Sequence, residues 1–561
     1  MSQFQSYQRY SQYVQGPDGI RLAVDIYRPS DEPLPAILIA GRFHRREIFE
    51  RTKAIVEKLV LSGYVYMVLE TRGYGASFGY SQGFCEPEDS RDVKSVIEWA
   101  AAQPWCNGRI GMMGSSNKGF IQETTAVTAP PHLVAITPAV CNSDFYYQNY
   151  PNGVSALPAR MQERPIKTEM GAPVDEDPPP HYPMATAALQ EHENNKPFIG
   201  YQFIPHMFRD TPNDLFDYIP NLAIPPCEQS AAVKESGVAV YQMAGWFDPS
   251  VGGQLITFKD WGGNILIGPW NHFQITHGTS SFPNGNVDMG EEHLKWFDFI
   301  LKGTDNTFSS QPPVRYYTQN APAGEEWRES YSWPLERQQN TTFYFGSGQT
   351  GTARSVNDGS LRLQPPELED HDEYEVNFDI EVFDPRVGRM DRYCPLDMRE
   401  MLDEKGLTYT SQPLQAHTEV TGHPVVELWI ASSANDGNFL AYLEEVDEEG
   451  HSHLVTEGFI RATHRKISKN EVWDSLGLPY HRSLEQEEEP LPMGKPVKCS
   501  FLLEAVSYLF RKGCSIRVSV TCAERGVQQP ERIHNDSPPV ITLYHGGATA
   551  SSITLPIIPQ E

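Results

Sequence analysis

Residues 109–119, Arg-Ile-Gly-Met-Met-Gly-Ser-Ser-Asn-Lys-Gly, constrain this chain most: a short apolar strand runs into a Gly-x-Ser-x-x-Gly turn and then a helix. A strand-to-helix turn this tight crowds the backbone, so flanking glycines let the chain pass while the central side chain is pushed outward. Ser116 is that centre. The helix that follows aims free N–H groups and a partial positive charge at the same point, which suits an oxyanion forming beside a serine. Taken alone, Gly-Ser-Ser-Asn reads equally well as an ordinary loop.

A nucleophilic serine needs a base, and the base needs an orienting carboxylate, in chain order Ser, Asp, His for one large class of α/β enzymes. Val238 to Met243 is a β-rich run leading through Ala244-Gly245-Trp246-Phe247 to Asp248, and Asn264 to Ile267 leads through Gly268-Pro269-Trp270-Asn271 to His272. The carboxyl ends of strands line one edge of an open parallel sheet, so Ser116, Asp248 and His272 are expected together there. Singly, Asp248 before Pro249 also fits a helix cap and His272 a packed loop residue; their order at three strand ends carries the inference.

Along the chain, Val14 to Leu22 reads as a hairpin with a Pro-Asp-Gly turn. Ala36 to Ile39 and Val65 to Leu69 are short continuous apolar runs, and Val93, Val96, Ile97, Ala100 and Ala101 recur at helical spacing. This alternation predicts an α/β fold. Between about Tyr146 and Ser236 prolines interrupt the pattern, with short helices expected at Ala185–His192 and Asn213–Tyr218. An insertion between the elbow strand and the Asp248 strand would cap the site, and Phe145, Tyr146, Tyr147, Tyr201, Phe203 and Phe208 fit either a pocket lining or the cap's own core. Gly290–Lys302 reads as a helix ended by Gly303. Beyond Pro334 come many short β-rich runs, among them Thr342–Phe345, Val425–Ala431, Phe439–Leu443, Ser500–Leu503 and Ile516–Thr521, the pattern of an all-β sandwich. The expected division is 1–145 and 237–335 for the α/β domain, 146–236 for the cap, and 336–561 for the β-domain.

Composition excludes several classes. At 561 residues the chain exceeds one compact core, and 45 basic against 73 acidic residues give a formal charge of −28, which disfavours nucleic acid and anionic membranes. With no basic n-region before an apolar stretch and no run of about 20 apolar residues, a cytoplasmic protein off the membrane is expected. Eight scattered cysteines show no Cys-x-x-Cys spacing, so neither a disulfide scaffold nor a metal site is expected. The acidic runs 444–449 and 485–489 read as solvated, the first joining two strands and the second in a loop.

The combined motifs resemble the serine hydrolases that group bacterial cocaine esterase, α-amino acid ester hydrolases and X-prolyl dipeptidyl aminopeptidases. The resemblance runs through Glu70-Thr71-Arg72-Gly73-Tyr74-Gly75-Ala76-Ser77, Trp105 to Met112, Ala244 to Asp248, Gly268 to His272 and Trp296 to Gly303. It implies an α/β-hydrolase domain with a helical cap and a C-terminal jelly roll. It also implies Ser116 as nucleophile, Asp248 as orienting acid and His272 as general base, acting on a small-molecule ester or amide, with no cofactor needed for these steps; whether the chain forms a homo-oligomer is left open by the sequence. The family usually supplies a tyrosine hydroxyl to the oxyanion hole, whereas this chain has Phe43 or His44 there; the Asn117 N–H is the other donor, and His44 is either a substitute donor or a solvated residue among arginines. Two alternatives stand beside the esterase: a dipeptidyl aminopeptidase using Asp175, Glu176 and Asp177 to hold a substrate amine, and a fold repurposed for acyl transfer, cyclisation or binding.

Overall fold

A computed structural model describes residues 3–83, 86–155, 170–196, 208–212, 218–382, 402–469, 472–524, 527 and 537–559. The first half is a ten-stranded sheet: β1 (Gln8–Gln15), β2 (Arg21–Arg28), β3 (Leu34–Gly41), β4 (Val65–Glu70), β5 (Cys106–Ser115), β6 (Leu133–Ala139), β7 (Ala239–Gly245), β8 (Asn264–Gly268), β9 (Val314–Tyr317) and β10 (Trp327–Ser330). Its spatial order is β1-β2-β4-β3-β5-β6-β7-β8-β9-β10. β1 pairs antiparallel with β2 in the hairpin register Val14 to Leu22, and β3 to β9 run parallel.

The central strands are covered on both faces, which is why they read as unbroken apolar runs. On one face Ala36, Leu38 and Ala40 pack with Val93, Val96 and Ile97 of α2 (Pro87–Ala101) and with Phe120 and Ile121 of α3 (Asn117–Val127). On the other, Ile37 and Ile39 pack with α1 (Arg45–Leu61), Trp296 and Phe297.

The cap contributes α4 (Phe145–Asn149), α5 (Pro183–Glu191) and α6 (Ser230–Ser236). Of the helix expected at Asn213–Tyr218, residues 213–217 lie outside the described residues, as do Tyr201 and Phe203. Phe145, buried, meets Phe120 edge-on at 4.6 Å and Tyr146, buried, stacks on Tyr150 at 5.5 Å, so these two are packing residues; the half-buried Phe208 stacks on His464 at 5.1 Å. After the cap, α7 (Val251–Trp261) follows β7 and α8 (Met289–Lys302) follows β8; Gly303 has φ 69°, the left-handed value a helix-ending glycine supplies at least cost.

From Gln339 to Ile558 the described regular elements are strands apart from short helical turns, and all but one of their pairings are antiparallel, around a large apolar core with a smaller cluster at Leu440, Tyr442 and Phe459 beside it. The acidic run at 444–449 corrects the expectation of a solvated join. Glu444 and Glu445 are buried within the strand Asn438–Val446, Glu444 accepting from Ser452 at 2.6 Å and Glu445 pairing with Arg511 at 2.8 Å. Only the turn beyond is exposed, where Asp447 lies beside His451 and His453, 3.6 and 3.0 Å away.

Candidate active site

Three strand ends meet at the carboxyl edge of the sheet. At the end of β5, Ser116 has φ 58° and ψ −127°. Its N–H donates to Ala139 O at 2.9 Å, and its carbonyl accepts from Gly119 and Phe120 at 2.7 and 3.0 Å. Both glycines of the motif are required by space. A Cβ on Gly114 would stand 2.6 Å from Lys118 Cβ, and one on Gly119 would stand 2.8 Å from Cys141 Sγ and 2.9 Å from Ala139 O. Gln122, buried beneath the turn, donates to Gly114 O at 3.0 Å and accepts from Thr137 N at 2.9 Å.

Just past β7, Asp248 is buried, its N–H bonded to Gly245 O at 3.0 Å. Past β8, Trp270 is packed in the core and Asn271 Oδ1 accepts from the N–H groups of Phe273 and Gln274 at 3.0 and 2.9 Å, which turns the chain so that His272 faces the acid. His272 Nδ1 lies 2.6 Å from Asp248 Oδ2. Asp248 Oδ1 accepts from Ser250 N at 2.9 Å and, in a shorter bond, from the Ser250 hydroxyl. Ser115 Oγ and Thr276 Oγ1 are 3.3 Å apart, joining the elbow to the histidine loop. The three residues expected from sequence therefore stand on adjacent, mutually bonded loops. Ser250, Thr276 and Gln122 escaped the sequence reading because a single Ser, Thr or Gln carries no local signal of a contact made across the fold.

Asn117 is buried and its Oδ1 accepts from Arg42 N at 3.3 Å, tying the β3–α1 loop to the first turn of α3. His44 stands at the N-cap position of α1, its Nδ1 3.8 Å from Glu70 Oε1. Of the arginines around it, Arg42 and Arg45 are buried, paired with Asp89 at 3.2 Å and with Asp25 at 3.0 Å, whereas Arg46 is exposed, its Nε 3.0 Å from Asp25 Oδ2. Phe43 is 41% exposed, with the Lys118 ammonium 4.6 Å from its ring centre. Burial, with Arg51 nearby, pulls that ammonium down to about 8.

Two of the three carboxylates considered as amine anchors have other work, and the third, Glu176, is exposed. Asp175 binds Arg9 at 2.8 Å and Ser11 N at 2.7 Å on β1, and Asp177 accepts from Met184 N and Ala185 N at 3.0 and 2.8 Å in the first turn of α5.

A nucleophile elbow beside an acid-bound histidine, on a parallel sheet with a cap and an appended β-sandwich, defines a serine hydrolase of the α/β-hydrolase class. Residues 18–274 match the X-Pro dipeptidyl-peptidase (S15) family and residues 306–553 the X-Pro dipeptidyl-peptidase C-terminal non-catalytic domain. The two matches, which together span most of the chain, support the cocaine esterase and X-Pro dipeptidyl-peptidase-like serine hydrolases as its family. A Mycobacterium bovis protein provisionally named a serine esterase is 29% identical over 624 residues, covering 98% of this chain and 95% of its own. Cocaine esterase from a Rhodococcus species is 26% identical over 596 residues, covering 96% and 97%. A Staphylococcus aureus CocE/NonD family hydrolase of known structure superposes with a TM-score of 0.73 at 19% identity, covering 99% of this chain and 94% of that one. Among the described residues no helix is long and apolar enough to cross a membrane.

Proposed function

We propose that the protein hydrolyses small carboxylic esters, and amides more slowly, through an acyl-enzyme on Ser116. The observation that carries this reading is the 2.6 Å contact between His272 Nδ1 and the buried Asp248 carboxylate, on a loop bonded to the Ser116 elbow. With Nδ1 engaged by Asp248, His272 presents Nε2 as the base. It takes the Ser116 hydroxyl proton as Oγ attacks the carbonyl, and returns that proton to the departing alcohol. The Asn117 N–H receives the oxyanion, with His44 as second donor. Water then attacks the acyl-enzyme by the same route, releasing the acid and restoring Ser116.

Esters rank ahead of X-Pro dipeptides because a dipeptidyl-peptidase must grip the substrate's free amine, and of the three carboxylates considered for that grip Asp175 and Asp177 already serve β1 and α5, which leaves only the exposed Glu176. Hydrolysis of 4-nitrophenyl acetate and of an Ala-Pro 4-nitroanilide by wild type and Ser116→Ala tests the reading. The ester is the expected better substrate, and Ser116→Ala is expected to lose about four to six orders of magnitude in kcat. Preference for the anilide, or full turnover by Ser116→Ala, would overturn it.

A further inference from the structure

Five fully or almost fully buried polar side chains form one continuous chain under the candidate triad: Glu123 on α3, Gln242 on β7, Gln254 on α7, Ser250 and Asp248. Gln242 Nε2 donates to Glu123 Oε1 at 3.2 Å, and Gln254 Nε2 donates to Gln242 Oε1 and to Met243 O, each at 3.0 Å. Ser250 Oγ lies 3.2 Å from Gln254 Oε1 and in a shorter bond to Asp248 Oδ1, whose other oxygen holds His272. The Cys141 thiol also bonds Glu123.

We propose that Glu123, Gln242, Gln254 and Ser250 are positioning residues: a buried relay that fixes the Asp248 carboxylate against His272. The proposal rests on the reading of Asp248 and His272 as the orienting acid and base. Hydrogen-bond polarity supports it. The Met243 carbonyl can accept but not donate, so it pins the Gln254 amide with Nε2 inward and Oε1 toward Ser250. Gln242 must then face Gln254 with its oxygen and Glu123 with its nitrogen, which makes Glu123 the terminal acceptor. At the other end Ser250 has one hydroxyl proton and two acceptors. The charged Asp248 oxygen takes the larger share, and Gln254 Oε1 on the opposite side holds the hydroxyl in line.

Packing alone does not call for this arrangement. Three elements that meet in a core need only apolar side chains, and every buried amide and carboxyl costs desolvation unless fully bonded. Here that cost is accepted along a path that ends at the carboxylate that holds the histidine.

The test is steady-state hydrolysis of 4-nitrophenyl acetate by Ser250→Ala, Gln242→Leu, Glu123→Leu and Glu123→Gln, with His272→Ala alongside. Misplacement of a catalytic group remote from substrate binding lowers kcat and spares KM, so the first three variants are expected to lose about ten- to a hundredfold in kcat with KM within about twofold. Glu123→Gln, whose amide oxygen still accepts from Gln242, is expected to recover most of that loss. Wild-type kcat in Ser250→Ala, or equal losses in Glu123→Gln and Glu123→Leu, would overturn the relay. Should Gln242→Leu or Glu123→Leu fail to fold, Ser250→Ala, which removes a single oxygen, decides the matter. Turnover retained in His272→Ala would instead sink the triad reading, so the two failures are distinct.

Discussion

Ser116 is held in a backbone conformation that costs a non-glycine residue on the order of 1–3 kcal/mol. That strain persists because Ala139 O and the glycines at 114 and 119 leave the turn one path. A comparable constraint sits at Gly245, where a Cβ would stand 2.2 Å from Trp270 O, two residues before His272. Because the obstacle is backbone, nothing but a shift of the histidine loop relieves it. Gly245→Ala is therefore expected to lower kcat about a hundredfold while destabilising the fold by only about 1–3 kcal/mol, measurable by ester kinetics and thermal melting. At this scale the sequence was legible where chemistry coincides with a local pattern. Ser116, Asp248 and His272 follow strand-like runs and stand beside Gly, Trp and Pro. Ser250, Gln254, Gln242 and Glu123 come from three separate segments, and only the fold joins them. His44 was half legible: its place in the loop was readable, but not its neighbour Glu70.

Among the elements, α5 shows how a helix depends on a distant residue. The sequence placed it at Ala185–His192, and the structure begins it at Pro183, whose missing N–H is no loss in a first turn. The N–H groups of Met184 and Ala185 are satisfied by the buried Asp177 carboxylate, which no capping pattern adjacent to the helix would reveal. Asp177→Ala is expected to cost about 1 kcal/mol, seen as a lowered melting temperature with kcat unchanged. A fall in kcat together with a raised KM for a free-amine substrate would return Asp177 to amine binding. The acidic run at 444–449 misleads for the converse reason: charge patterning shows neither the Arg511 that neutralises Glu445 nor the hydroxyls that bond Glu444.

In the molecule as a whole, the hydrolase sheet and the β-sandwich share a core. Ala244, Trp246 and Val251 around Asp248 pack with Ala505 and Ile558 of the sandwich. Stability should carry the mark of buried acids. Burial pushes Glu123 and Glu86 from the ordinary 4.5 up to about 7, so folding favours their protonated forms. Their contribution is whole below about pH 4.5, falls as pH rises toward 7 and is gone above it. His293 and His423, pushed by burial from 6.5 down to about 4, act in the opposite sense, stabilising above pH 6.5 and losing that contribution as pH falls to 4. The opposing slopes offset each other in the wild-type curve, so the difference from Glu123→Gln is the informative quantity. Since Gln does not titrate, the melting temperature of Glu123→Gln relative to wild type is expected to rise from pH 5 to 7 and level off above; a flat difference would show that Glu123 is ionised throughout. The central claim meets its most direct test in fluorophosphonate labelling of the intact protein, with the adduct mapped by mass spectrometry. The account predicts a single adduct on Ser116 that is lost in His272→Ala; an adduct on another residue, or labelling of Ser116 as fast without His272 as with it, would contradict it.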